Sequence, residues 1–128
     1  MLFQGAGMYN KFIGMGLAFI VILLTGFRLS RKGKPYNVIL SSIHKIISLV
    51  ALAFILVLVF QASRAAPLSS IEIWLIGITV VFFVALIATG GILSTSKIPP
   101  RTIQIVHRIL PYLSILSTIA TLYLLLIR

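Results

Sequence analysis

Two histidines, His44 and His107, are the side chains of this chain whose type and spacing best suit cofactor chemistry, and they are its only histidines. They occupy equivalent positions in an internal repeat. A neutral imidazole is a common metal ligand and a good axial ligand for haem iron. The repeat units share a Thr-Gly pair, a Leu-Ser pair and a His-basic-Ile tripeptide: Thr25-Gly26, Leu29-Ser30 and His44-Lys45-Ile46 in the first, Thr89-Gly90, Leu93-Ser94 and His107-Arg108-Ile109 in the second.

The number of available ligands favours haem over a bare metal ion. Two imidazoles can hold one iron on opposite faces of a porphyrin, whereas a tetrahedral zinc site needs four N, S or O ligands. The chain has no cysteine, and its one acidic residue, Glu72, is remote in sequence from both histidines. We therefore expect one haem b per chain, with His44 and His107 as the iron ligands.

The neighbours of the histidines are consistent with a flat cofactor. Small or polar residues share their helix face: Ser41, Ser48 and Ala51 near His44, and Gln104, Pro111 and Ser114 near His107. Gly26 and Gly90 would allow a ring or a helix to approach their backbone closely. Lys45 and Arg108 could bind haem propionates through charge-assisted hydrogen bonds, or could equally extend to lipid phosphates. The alternative for the histidines is an interhelical hydrogen bond, to Ser41, Ser48 or Gln104.

Composition identifies a membrane protein. Hydrophobic residues make up 60% of the chain, against about 45–50% in soluble domains, and charged residues only 9%. The net charge of +10 does not indicate nucleic-acid binding, because the basic residues lie in short connections between apolar runs. Membrane lipid is the partner that this composition requires.

Four apolar runs are long enough to cross a bilayer: Tyr9–Phe27, Val38–Ala62, Ile71–Leu93 and Thr102–Ile127. Their short connections predict an all-α polytopic membrane protein, an up-down four-helix transmembrane bundle built from two repeated helical hairpins, residues 9–62 and 71–127. The membrane domain would comprise residues 8–128. Residues 1–7 resemble the remnant of an expression tag, since Leu2–Gly5 matches the end of a viral 3C protease recognition sequence.

The asymmetric distribution of charge predicts the orientation of the chain in the membrane. We expect this membrane to be a prokaryotic cell membrane. Most cations lie on the side of the first and third connections, and the positive-inside rule makes that side cytoplasmic and puts both termini outside. Lys45 and Arg108 follow the histidines directly, so the histidines should lie near the cytoplasmic edge. The cations on that side are Arg28, Arg31, Lys32, Lys34, Lys45, Lys97, Arg101 and Arg108, and those opposite are Lys11, Arg64 and Arg128.

This pattern resembles b-type membrane cytochromes of the cytochrome b561 class. In that class, histidine pairs from different helices hold haem, and one pair comes from the second and fourth helices of a four-helix core. His44 and His107 match that pair. The resemblance covers the four spans and rests on helix order and two residues. The family typically holds two haems, whereas this chain has one histidine pair and would hold one, on the cytoplasmic side.

The resulting functional hypothesis is a bis-histidine haem protein that transfers electrons with quinone or a redox-partner subunit, or that senses or handles haem. Any enzymatic role would be that of a redox component, because no hydrolytic motif is present. Two alternatives stay open: a small transporter or channel, and a structural membrane subunit whose histidines bond neighbouring helices. Self-association is compatible with each of these functions.

Overall fold

The computed structural model describes residues 2–128, with side chains from residue 6 onward, and contains four α-helices. They are α1 (Leu2–Lys32), α2 (Val38–Ala65), α3 (Ser70–Thr95) and α4 (Arg101–Ile127). Each predicted span lies inside one helix, and the helices extend beyond the apolar runs into flanking polar residues. The prediction of an all-α protein with four membrane helices is confirmed.

All four helices have the length and composition of membrane spans. They contain 26 to 31 residues, where about 20 suffice to cross the hydrocarbon core. Large apolar side chains are exposed along each helix, among them Leu17, Val57, Val81 and Leu116. In water this exposure would be unfavourable, but in a bilayer the lipid tails cover such a surface. The chain is an integral membrane protein.

The chain divides into two compact units, Met1–Phe54 and Ile55–Arg128. In the first unit, Gly33 ends α1 with a left-handed φ of 66°, and its N–H donates to the Leu29 carbonyl at 3.1 Å. Glycine adopts this conformation without steric cost, which is why it commonly follows helix ends. Asn37 then starts α2 by accepting the Leu40 N–H through Oδ1 at 3.0 Å. These two residues close the turn of the first hairpin.

In the second unit, α3 begins with a capping box formed by Ser69 and Glu72. The Ser69 hydroxyl accepts the Glu72 N–H, and the Glu72 carboxylate accepts the Ser69 N–H. Arg128 lies against the same carboxylate, with its Nε 3.4 Å from Oε1. Its guanidinium also donates to three carbonyls at the end of α2 and just beyond it, those of Ala62, Ala66 and Pro67. One arginine thus joins the ends of three helices.

Small hydroxyl side chains make up much of the buried part of the second unit, beside the apolar Ile55, Phe83 and Leu122. Thr79 of α3 and Thr121 of α4 are almost fully buried, and their hydroxyls lie 3.0 Å apart. Oγ1 of Thr79 also lies 2.9 Å from the Leu75 carbonyl oxygen, and either threonine can be the donor of the bond between them. Membrane helices commonly meet through small residues, because these allow close backbone approach. Other buried hydroxyl residues of this unit are Thr89, Ser114, Ser117 and Thr118.

Candidate functional site

In the first hairpin, the His44 ring of α2 is bound to the preceding helix through Nδ1. This atom lies 3.0 Å from Oγ1 of Thr25 and 3.1 Å from the carbonyl oxygen of Ile22. Thr25 donates its own proton to the α1 backbone, at 2.7 Å from the Val21 carbonyl oxygen. The imidazole is half-buried in this position, and α1 therefore holds it in one orientation.

The two contacts of Nδ1 show which nitrogen of the neutral His44 ring carries the proton. A carbonyl oxygen only accepts, and the Thr25 hydroxyl has already donated to the backbone, so Nδ1 must carry the hydrogen. The lone pair then resides on Nε2, which makes no hydrogen bond within residues 6–128. Metal-binding histidines commonly donate one ring N–H to a carbonyl in this way, which fixes the tautomer and aims the other nitrogen at the metal.

The second hairpin repeats this arrangement within its own unit. Nδ1 of His107 on α4 lies 2.7 Å from Oγ1 of Thr89 on α3. Oγ1 of Thr89 also lies 2.7 Å from the Ala85 carbonyl oxygen of α3, as Oγ1 of Thr25 lies close to a carbonyl of α1. The ring is half-buried, as in the first hairpin. The two copies of the repeat therefore share a local geometry as well as a sequence pattern.

A glycine next to each threonine makes room for the histidine ring. A Cβ placed on Gly26 would lie 3.0 Å from Cε1 of His44, and one on Gly90 would lie 3.1 Å from Cε1 of His107. Both distances are shorter than ordinary van der Waals contact. Gly16 and Gly91, by contrast, have nothing within 4 Å of such an atom. In the Thr-Gly pair, the threonine thus binds the ring nitrogen and the glycine accommodates the ring carbon.

The serines predicted around the cofactor have different surroundings. Ser48 donates through Oγ to the backbone carbonyl of His44 at 2.7 Å, while Ser41 is half-buried in the first turn of α2. Ser114 is fully buried, and its Oγ has no hydrogen-bond partner among residues 6–128. Only Ser48 is bonded to a histidine, and it contacts the main chain of that residue.

Three of the remaining predicted residues are exposed, and the fourth, Pro111, is half-buried. Gln104 is exposed, and its side-chain amide donates to the Pro99 carbonyl at 2.9 Å, which stabilises the start of α4. Lys45 and Arg108 are exposed, and within residues 6–128 neither forms an ion pair. Pro111 lies inside α4, which continues through it. Because proline has no N–H, Pro111 cannot donate to the carbonyl of His107.

The hydrogen-bonding partners of the rings differ from those that the sequence suggested. The partner of His44 is Thr25 and that of His107 is Thr89, whereas the sequence predicts Ser41, Ser48 or Gln104. Both threonines were visible in the sequence as markers of the repeat. Their regular placement before each histidine was the signal that could have identified them as partners.

The described side chains form no closed metal-ion site. Within the described residues 6–128, no three His, Cys, Asp or Glu side chains lie together as metal ligands. Each hairpin supplies one imidazole in a fixed orientation.

A comparison with known proteins finds no match for this chain among family models, curated proteins or solved structures.

Proposed function

We propose that this membrane protein binds one haem b, with Nε2 of His44 and Nε2 of His107 as the axial ligands of the iron. The observation that supports the proposal is the repeated bond between a threonine and Nδ1. In the first hairpin, the Ile22 carbonyl requires Nδ1 of His44 to be the donor, so the lone pair of the neutral ring is on Nε2. The proposal assigns the same tautomer to His107, whose Nδ1 has the equivalent threonine contact. This is the tautomer that a histidine needs in order to bind iron through Nε2.

Haem fits the donor set better than other iron or zinc sites do. An axial pair requires only two protein nitrogens, because the porphyrin supplies four more ligands. Lys45 and Arg108 are the side chains proposed to bind the propionates, since each is an exposed cation that directly follows an axial ligand. Ser41, Ser48, Gln104 and Ser114 remain proposed neighbours of the cofactor.

Electron transfer is the activity that this ligation favours. A bound haem supplies a one-electron redox couple, and two axial histidines leave no open position for oxygen activation. The protein's contribution would be to hold each imidazole in a fixed orientation against the preceding helix. Quinone or a redox subunit is the proposed partner, and haem sensing is the alternative use of the same site.

An absorption spectrum of the purified protein, loaded with haem, tests the proposal. We expect a Soret band and split visible bands on reduction, and we expect these signals to be lost in His44→Gly and His107→Gly. Added imidazole should restore the six-coordinate spectrum in each variant, because it replaces the missing ligand. Ser42→Ala, at an exposed position on α2, serves as the control and should keep the wild-type spectrum.

The outcomes of this experiment are distinct. A folded wild-type protein that stays colourless after haem addition would overturn the proposal. Haem binding that is unchanged in both glycine variants would overturn the ligand assignment. Circular dichroism of each variant shows whether the helices are intact, so a misfolded variant is recognised as such.

We also propose that the connections α1–α2 and α3–α4 face the cytoplasm, which puts both termini outside. The basic residues in these connections support this orientation. Because the chain has no cysteine, single cysteines report on topology without background. Ser96→Cys should be protected in intact cells from a membrane-impermeant maleimide and Ser63→Cys should be labelled. The reverse pattern would overturn the orientation.

A structural role for the histidines is the competing function, and the interhelical bonds from Thr25 and Thr89 favour it. In that case the histidines only join each pair of helices, as in a scaffold subunit or a small transporter. The glycine variants would then lower the thermal stability, and imidazole would restore no absorption band. The spectrum and the melting temperature together separate the two functions.

A further inference from the structure

A small basic cleft lies at the turn of the first hairpin, apart from the histidine. Its volume is about 270 Å³, just below the range of roughly 300–1,000 Å³ that is usual for small-molecule sites. This size suits a headgroup better than a whole cofactor. The cleft combines cationic, amide and apolar side chains from the end of α1 and the start of α2: Arg28, Lys32, Asn37, Ile39, Leu40 and Ile43.

The cleft contains two cations, both at the end of α1. Arg28 and Lys32 lie one turn apart on α1, where like charges repel each other. Within residues 6–128, neither forms an ion pair or a ring contact. The single acidic side chain of the chain, Glu72, is bound to Ser69 and Arg128. The described residues therefore leave both charges available to an anionic ligand.

Two neighbouring cations provide a contrast in the same turn. Arg31 lies over the ring of Phe27, with 5.1 Å between its Cζ and the ring centroid. Lys34 lies 5.5 Å from the ring centroid of Tyr36. Neither residue lines the cleft. The turn thus separates its cations into a pair that contacts aromatic rings and a pair that faces the cleft.

Asn37 adds a neutral donor to the cleft. Its Oδ1 accepts the Leu40 N–H at the start of α2, which fixes the orientation of the amide. The side-chain NH₂ is then the group that remains for a ligand, and it can only donate. Arg28, Lys32 and Asn37 together offer donors and two positive charges, so the polar part of the cleft is suited to an oxyanion.

The apolar part of the cleft continues onto the outer surface of α2. Ile39 is 72% exposed and Ile43 is 40% exposed. Ile46 and Val50 extend this stripe at helical spacing, and they are also exposed. A ligand with a phosphate at one end and acyl chains at the other would contact both parts of this surface.

We propose that this cleft binds the headgroup of an anionic phospholipid, with its phosphate between Arg28, Lys32 and Asn37 and its acyl chains along Ile39 and Ile43. A net negative headgroup is favoured over a zwitterionic one because the two cations have no counter-charge in the protein. Basic sites at the ends of membrane helices bind such headgroups through the same electrostatic attraction. The proposal is independent of haem binding.

Native mass spectrometry of the detergent-solubilised protein tests the proposal, with phosphatidylglycerol as the probe and phosphatidylcholine for comparison. Arg28→Gln and Lys32→Gln should each reduce the affinity for phosphatidylglycerol about fivefold, and the double variant about 30-fold, at roughly 1 kcal/mol per cation. The matched control is the double variant Arg31→Gln/Lys34→Gln, which removes the same charge from the same turn. It should change the affinity less than twofold.

Each possible result bears on the proposal. An equal loss in both double variants would mean that net charge alone attracts the lipid, and would overturn the site. Equal binding of phosphatidylcholine would overturn the preference for anionic lipid. Competition by millimolar inorganic phosphate would show a free-phosphate site and overturn the lipid assignment. The single variants keep the test decisive if the double variant fails to fold by circular dichroism.

Discussion

The Nδ1 atom of His107 lies 2.7 Å from the Thr89 hydroxyl, and the corresponding atoms of His44 and Thr25 are 3.0 Å apart. Each bond joins the two helices of one hairpin. Each threonine hydroxyl also lies within hydrogen-bonding distance of a carbonyl of its own helix, and the Ile22 carbonyl requires Nδ1 of His44 to be a donor. The repeat thus preserves the contact between a threonine and Nδ1 along with the residue pattern.

The first prediction concerns which ring nitrogen of His44 and His107 carries the proton. In the protein without cofactor, at mildly alkaline pH, nitrogen-15 NMR of labelled histidine should show Nδ1 protonated and Nε2 unprotonated for both rings. Thr25→Val should keep this tautomer in His44, because the Ile22 carbonyl remains as an acceptor at 3.1 Å. The lost bond should lower the unfolding free energy by about 0.6 kcal/mol. A protonated Nε2 in the wild-type protein would contradict the assignment.

The second prediction concerns the glycines against the histidine rings. Gly26→Ala and Gly90→Ala should each lower the unfolding free energy by about 1–3 kcal/mol, the usual cost of overpacking. The added Cβ would lie 3.0 or 3.1 Å from Cε1 of the ring, so the imidazole must move away from its threonine. Thermal unfolding in detergent measures the loss.

Two other glycines are matched controls for this experiment. Gly16 lies on α1 and Gly91 directly follows Gly90, and an added Cβ meets nothing within 4 Å at either position. Gly16→Ala and Gly91→Ala should retain or increase the stability, since alanine is favoured over glycine in a helix by about 1 kcal/mol. Equal losses at all four positions would show that ring contact is not the cause.

The helices could be predicted from the sequence because a bilayer demands long apolar runs. The ends of the helices were less predictable. The apolar run Val38–Ala62 predicts that the second connection begins at Ser63. In the structure α2 continues to Ala65, since a helix can extend past the apolar run. Such extensions depend on local capping, and the Arg128 contacts at the end of α2 come from a residue distant in the sequence.

The histidines could be found from the repeat, whereas their partners could not be deduced from helix periodicity. Ser41 and Ser48 share a helix face with His44, which made them natural candidates for hydrogen bonding. The observed partner, Thr25, lies on the neighbouring helix. Which residue of α1 meets the ring depends on the rotation of that helix about its axis, and apolar runs facing lipid carry little information about rotation. The close approach expected at Gly26 occurs, and the ring concerned is that of His44.

The third prediction concerns the arginine that joins three helix ends. Arg128→Ala should lower the unfolding free energy by about 1.5–3 kcal/mol, the range for hydrogen bonds to a charged group. It removes the bonds to the carbonyls of Ala62, Ala66 and Pro67 together with the Glu72 ion pair. Glu72→Gln should cost less, because an amide oxygen can still accept the Ser69 N–H of the capping box.

Arg64 is the control for a general effect of charge in this part of the protein. Its guanidinium lies over the Phe60 ring, with Cζ 4.9 Å from the centroid, and a cation–π contact at an exposed site contributes only about 0.5–1 kcal/mol. Arg64→Gln should therefore lower the melting temperature less than Arg128→Ala. The opposite order would contradict the proposed role of Arg128 at the helix ends.

The fourth prediction concerns the buried hydroxyl of Ser114, whose Oγ lacks a hydrogen-bond partner among residues 6–128. A buried unpaired polar group costs about 1–3 kcal/mol, so Ser114→Ala should raise the unfolding free energy. Ser117 is the matched control because it is also buried on α4 but donates to the Ser114 carbonyl at 3.0 Å. Ser117→Ala should lower the stability by about 0.5–1.5 kcal/mol. A loss of stability in Ser114→Ala, measured without cofactor, would contradict the prediction.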